Sequence, residues 1–175
     1  MHMEPAKGYR ALRTTGRCTE AGRIYLVTTV TCDRQRLFED WRCAWAAAAC
    51  LSNPATWDCA RLLCWVLMPD HWHGLLLLDG AGPLSTVMQN AKGRVARAVN
   101  LARGRGGSVW MPGFHGHALR HERDILPSAR YIVANPLRAG LVDRLGGYPY
   151  WDAVWVDAAK KRSQGVDSMA VPSVG

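Results

Sequence analysis

Long apolar runs are missing from this chain. The longest, residues 62–68 and 74–78, fall far short of the roughly 20 apolar residues needed to span a bilayer. No membrane partner is therefore expected. The first ten residues are polar and contain no apolar run, so no secretory leader is read there and a cytoplasmic location is expected. None of the six cysteines (Cys18, Cys32, Cys43, Cys50, Cys59 and Cys64) stands in a C-x-x-C pair. That excludes the commonest zinc knuckle and ribbon spacings and leaves free thiols, several of them core-like, as the expectation. Acidic residues are scarce: 14 Asp plus Glu against 22 Lys plus Arg, a net charge of +8. Clusters of acids of the kind that hold metals in many small-phosphoester hydrolases are absent. The surplus of base points instead to a polyanionic partner, nucleic acid first.

Nearly half of the 175 residues are hydrophobic, ample for one core and inconsistent with a disordered chain. No internal repeat or small-molecule cofactor motif is visible. Residues 1–22 read as a basic arm, 23–157 as the folded domain and 158–175 as a mobile tail. Within the domain, residues 24–31 (IYLVTTVT) are β-branched and predict a strand. Residues 37–51 change to helical spacing, with Leu37, Trp41, Ala44, Trp45, Ala48 and Leu51 on one apolar face. Residues 61–68 predict a buried strand. Pro69-Asp70 interrupts it, and residues 71–78 continue extended or begin a second strand. Residues 84–102 return to helical spacing, with Lys92, Arg94, Arg97 and Arg103 on the opposite, exposed face. A strand over 110–120, short helices over 127–134 and 136–142 and an aromatic closing segment over 148–156 complete the order. The pattern suggests an α+β fold with helices on one face of a mainly antiparallel sheet.

Two groups of residues carry chemistry. In an extended segment His71 and His73 share one face and Trp72 takes the other. Two imidazoles on one face can chelate a divalent metal; the plain alternative is two ordinary histidines beside a turn. Tyr131 and Asn135 lie four apart, one turn of helix. A tyrosine can attack phosphate and an asparagine can offer a neutral oxygen ligand. Equally, Tyr131 fits a core aromatic and Asn135, before Pro136, fits a cap of the following helix. His115, His117 and His121 form a second histidine-rich stretch, with His115 and His117 again in alternation, and so a rival metal cluster.

Together these segments resemble a known family. MPDHWHGLLLL is similar to the HUH motif of single-tyrosine HUH transposases, and ARYIVANPLRAGLV to their tyrosine helix. TTVTCDRQRLF, LSTVMQNAKGRVARAVN and VWMPGFHGHALR resemble the REP-associated tyrosine transposase branch. The likeness runs in order from about residue 9 to 156. It implies a ferredoxin-like (RRM-like) antiparallel sheet with helices packed on it. It also implies His71 and His73 as metal ligands, Asn135 as the third ligand (related enzymes carry glutamine there) and Tyr131 as nucleophile. The implied cofactor is Mg²⁺ or Mn²⁺. The implied activity is cutting and rejoining of single-stranded or hairpin DNA through a 5′-phosphotyrosine, by a monomer or a dimer. Lys92, Arg94, Arg97, Arg10, Arg13, His117 and Arg120 are the expected DNA contacts, with Arg17 also on the arm. Two other readings stand beside this one: a domesticated hairpin-DNA-binding protein without turnover, and a small-phosphoester hydrolase.

Overall fold

A computed structural model describes residues 22–80 and 82–156. The expected arm with Arg10, Arg13 and Arg17, Cys18, and the expected tail lie outside the described residues.

The chain begins with β1 (Ile24–Val30), whose β-branched residues suit a pleated, half-buried surface. Thr31, fully buried, donates its hydroxyl to the carbonyls of Gln35 and Asp70 and anchors the turn that leaves this strand. Helix α1 (Trp41–Ser52) starts at Asp40, whose carboxylate accepts from the Arg42 amide. It ends where Asn53 leads into Pro54. Strand β2 (Ala60–Met68) and strand β3 (His71–Leu78) form an antiparallel hairpin, so Pro69-Asp70 is its turn and Met68 pairs with His71. Helix α2 (Leu84–Ala102) has the span its apolar period predicts. Strand β4 (His115–Ala118), helix α3 (Ile125–Val133), the single turn α4 (Asn135–Arg138) and strand β5 (Trp151–Ala153) follow.

The sheet order is β4-β1-β3-β2-β5, with every neighbouring pair antiparallel. The first four strands with α1 and α2 make the ferredoxin-like arrangement, and β5 extends it at the β2 edge. Side-chain alternation divides the interior in two. On one face α1 and α2 cover Val27, Trp65, Leu67, Trp72, Leu76 and Leu78. On the other, α3 places Ala129 and Ile132 against Cys64, Val66, Met68 and Leu75.

Helices on one face is thus corrected to helices on both, because the tyrosine segment folds back over the face that α1 and α2 leave bare. Three local expectations also change. Trp41 and Trp45 are 66% and 67% exposed. Helix α1 is apolar on nearly all sides: Ala44 and Leu51 of the expected face are buried, but Cys43 and Ala47 join them in place of the tryptophans, small residues that let α2 approach closely. The strand expected over 110–120 shortens to His115–Ala118, with Trp110 making an isolated bridge to Thr31; Pro112 and Gly113 interrupt the rest. Lys92 is partly buried, because it lies one turn after buried Met88 at the margin of the stripe. Among the described residues no helix is long and apolar enough to cross a membrane, and Cys32, Cys43, Cys50, Cys59 and Cys64 are free thiols.

Candidate active site

The β2–β3 turn brings the two histidines onto the α3 face immediately after it. Between them Trp72 enters the opposite layer, stacks on Trp57 with ring centroids 5.5 Å apart, and lies over Gly74. A Cβ at position 74 would stand 2.4 Å from the Trp72 ring, so glycine there lets the indole lie flat against its own strand. The histidine rings stand 4.7 Å apart, centroid to centroid, edge to face.

Both imidazoles are held by the same nitrogen. His71 Nδ1 lies 2.6 Å from the Asp70 carboxylate and His73 Nδ1 lies 2.6 Å from the Thr28 hydroxyl. A carboxylate accepts, so Nδ1 of His71 carries a proton and Nε2 points away from Asp70; Thr28 permits an Nδ1–H in His73 too. Burial, then the charges of His71 and Arg138, push the His73 pKa down to about 4. His73 is therefore neutral at pH 7, the form that ligates metal. Burial opposes ionisation of Asp70, but its hydrogen bond and charge interaction with His71, aided by Arg34, hold it below the usual carboxylate range.

Helix α3 positions the tyrosine. Ala129 and Ile132 face the sheet, which turns Tyr131 outward, 51% exposed. Pro136 has no N–H to give the Ile132 carbonyl. The Asn135 side-chain amide donates there instead, at 3.0 Å, and to the Tyr131 carbonyl at 3.1 Å. The expected cap on the following helix is thus corrected: α4 begins at Asn135 itself and has no side-chain cap, while Nδ2 caps the end of the preceding α3 because the proline lacks a donor; Oδ1 has no hydrogen-bond partner among the described residues. The Arg138 guanidinium lies 4.1 Å from the centroid of the Tyr131 ring, and its charge reaches His73.

Among the described residues no three His, Cys, Asp or Glu side chains cluster as a metal site. The histidine pair offers two imidazole nitrogens on one face, donors that in their neutral form can ligate a divalent metal. Cys64 on the same face is raised by burial to about 12 and supplies no thiolate.

The remaining expected residues separate. Helix α2 covers the Trp72 face, so Lys92, Arg94 and Arg97 lie on the side of the sheet away from the histidines. The Lys92 ammonium donates to the Met111 and Gly113 carbonyls at 2.7 and 2.5 Å, and burial lowers its pKa to about 8. Arg94 pairs with Asp58 at 2.9 Å and reaches the Ala55 carbonyl; Arg97 is exposed. His117 and Arg120 line an open groove of ≈ 430 Å³ with His121, Asp124 and Ser128, at the start of α3. His115 pairs across the sheet with Thr28, which pairs with His73, so the three form one row on the α3 face. Asp70, Thr28 and Arg138 were not found by sequence reasoning. Asp70, next to His71 in the motif, was the one with a usable signal.

A model of the IS200-like transposase family matches residues 21–134, which include His71, His73 and Tyr131 and stop one residue before Asn135. A REP-associated tyrosine transposase of Escherichia coli K12 is 29% identical over 87 residues, 49% of this chain and 50% of that protein. The chain thus aligns with about half the length of this curated relative. The solved structure of a REP-associated tyrosine transposase bound to a REP hairpin superposes with a TM-score of 0.58 at 20% identity, covering 84% of this chain and 85% of that one. A putative transposase from Deinococcus radiodurans R1 gives a TM-score of 0.50 at 23% identity, over 68% and 95%. At these identities the superpositions establish the fold.

Proposed function

The chain belongs to the IS200-like transposase family, and from that premise we propose that it is a metal-dependent single-strand DNA endonuclease and strand transferase. Its substrate is hairpin DNA of the REP type, and it acts through a 5′-phosphotyrosine at Tyr131, with residues 23–157 as the catalytic domain. One observation carries the reading. Two histidines, each tied down through Nδ1, share a sheet face with the helix that presents an exposed tyrosine.

His71 and His73 through Nε2, with Asn135 through Oδ1, would hold the divalent ion. When bound, that ion supplies charge to the scissile phosphate and to the departing 3′ oxygen. Asp70 and Thr28 keep the imidazoles in the ligating tautomer. Tyr131 Oη forms a bond to phosphorus as the bond from phosphorus to the 3′ oxygen breaks; the phenolic proton passes to solvent and the 3′ oxygen gains one. The phosphotyrosine keeps the diester energy, so another strand's 3′ hydroxyl reverses the step without ATP. The groove with His117 and Arg120 leads to the start of α3 and suits the single-stranded flank of a hairpin. Arg97 and the arm with Arg10 and Arg13 remain candidates for phosphate contacts elsewhere.

Incubation with labelled hairpin DNA and Mn²⁺ tests this. A covalent protein–DNA species is expected. A shifted but uncut band would make the protein a hairpin binder without turnover, and neither band would return the hydrolase reading. His71→Ala and His73→Ala should keep hairpin binding, which rests on other contacts. Both should lose cleavage and calorimetric Mn²⁺ binding. Normal nicking by His71→Ala would remove the metal assignment.

A further inference from the structure

We propose that Arg138 is the residue that receives the scissile phosphate, and that it orients Tyr131 toward it by stacking on the phenol ring. The proposal rests on the phosphotyrosine reading above and adds a group to it.

The geometry begins with the α3–α4 junction. Ala134 between the helices keeps near-helical angles (φ −81°, ψ −2°), and the Arg138 amide donates to its carbonyl at 3.0 Å. Tyr131, Asn135 and Arg138, spaced four and three apart, therefore share one stripe across the junction. At 4.1 Å from the ring centroid the guanidinium is in face contact with the phenol. The other described cation–aromatic pair, Arg42 over Trp41, is looser at 5.8 Å. Among the described residues no hydrogen bond or ion pair engages the Arg138 guanidinium, which leaves its N–H groups for phosphate oxygens, a pairing a guanidinium makes two at a time.

The electrostatic setting is also selective. Arg34, Arg36, Arg61 and Arg94 each sit beside a carboxylate. Among the described residues no carboxylate lies within ion-pair reach of Arg138, which is exposed. The turn α4 that carries it packs against β2, whose Met68 and Val66 pair with His71 and His73, so the guanidinium stands on the sheet face of the metal-binding pair. An anion between Tyr131, His73 and Arg138 would meet one uncompensated cation already fixed by an aromatic ring. Phosphoryl transfer concentrates negative charge on the non-bridging oxygens, so a prepositioned guanidinium acts mainly on the transition state.

The test compares the full-length wild type with R138M, R138K and Y131F, on hairpin DNA with a single-stranded flank and Mn²⁺. R138M should melt like the wild type. It should slow adduct formation by about 100-fold in kcat, with KM for the hairpin changed by less than about threefold. R138K, which keeps the charge and loses the fork, should recover about tenfold of that loss. R138M within about twofold of wild type overturns the proposal, as does equal slowing in R138K and R138M. If R138M fails to fold, R138K against wild type decides alone. A wild type that forms no adduct defeats the underlying reading, and Arg138 is then judged by NMR of the metal-free protein. Its Nε–H resonance should carry the ring current of Tyr131, lost in Tyr131→Leu, and should move with inorganic phosphate. A resonance at the free-arginine position that ignores phosphate overturns the proposal.

Discussion

The two faces of the sheet are built to different rules from the same strands. Alternate residues of β3 send Trp72, Leu76 and Leu78 beneath two long helices, and His71 and His73 beneath one short one. The first face is a closed apolar layer with paired tryptophans. The second carries the ionisable groups, an exposed tyrosine and an open groove. A single strand thus joins a closed apolar floor to a polar surface, and the floor fixes which way the histidines point. Substitutions on the first face should act on stability, and those on the second on chemistry.

The sharpest break in that comparison comes from two aromatic residues. Tyr131→Phe removes a hydroxyl that has no partner among the described residues, so stability should change by less than about 0.5 kcal/mol. Loss of the covalent DNA adduct should nevertheless be complete, since no other group forms that ester. An adduct mapped to Tyr9, Tyr25, Tyr148 or Tyr150 would assign the nucleophile elsewhere. Trp72→Ala removes a fully buried ring from the closed face and should cost about 3–5 kcal/mol in urea unfolding. If Trp72→Ala were mild and Tyr131→Phe destabilising, the division of labour between faces would be reversed.

Acid should expose the second face next. In the metal-free protein the His73 pKa lies near 4 against 6.5 for the free side chain. Between those values the unfolded chain binds more protons than the folded one, so stability rises with pH through the window. The contribution is present above about pH 6.5 and is lost as pH falls through about 4, by roughly 3 kcal/mol at most. Urea melts at pH 7, 5.5 and 4.5 should show that slope in the wild type, and His73→Gln should flatten it. Parallel slopes would mean that His73 is protonated freely in the fold.

Some of this was legible in the sequence, for physical reasons. A period of 2 reads out which residues share a strand face, so the separation of Trp72 from His71 and His73 follows from three letters. The apolar period of α2 predicts Leu84–Ala102, the span found. Trp41 and Trp45 misled because an all-apolar helix has no single stripe, and the choice of face is made by close packing against α2. Lys92 misled because a long side chain at a stripe margin can carry its charge to distant carbonyls. Thr28 and Arg138 depend on register between strands 45 residues apart and on the fold of α3 over the sheet, which no local pattern encodes.

Asn135 gives the smallest effect and the finest distinction, because its two ends have different tasks. Nδ2 replaces the proline's missing donor at the Ile132 carbonyl, and Oδ1 is the candidate ligand. Asn135→Ala removes both and should cost about 1 kcal/mol of stability, the worth of one such hydrogen bond, together with Mn²⁺ affinity. Asn135→Asp separates them. A carboxylate cannot donate to the helix carbonyls, so the stability loss should match or exceed that of alanine, yet a carboxylate is a harder and charged ligand for Mn²⁺. Calorimetric Mn²⁺ affinity should therefore be kept or raised in Asn135→Asp while the melting temperature falls. Were Asn135→Asp to lose Mn²⁺ binding along with Asn135→Ala, the side chain would be a cap only. The two histidines would then need their third ligand from elsewhere, with the DNA phosphate itself the nearest chemical substitute.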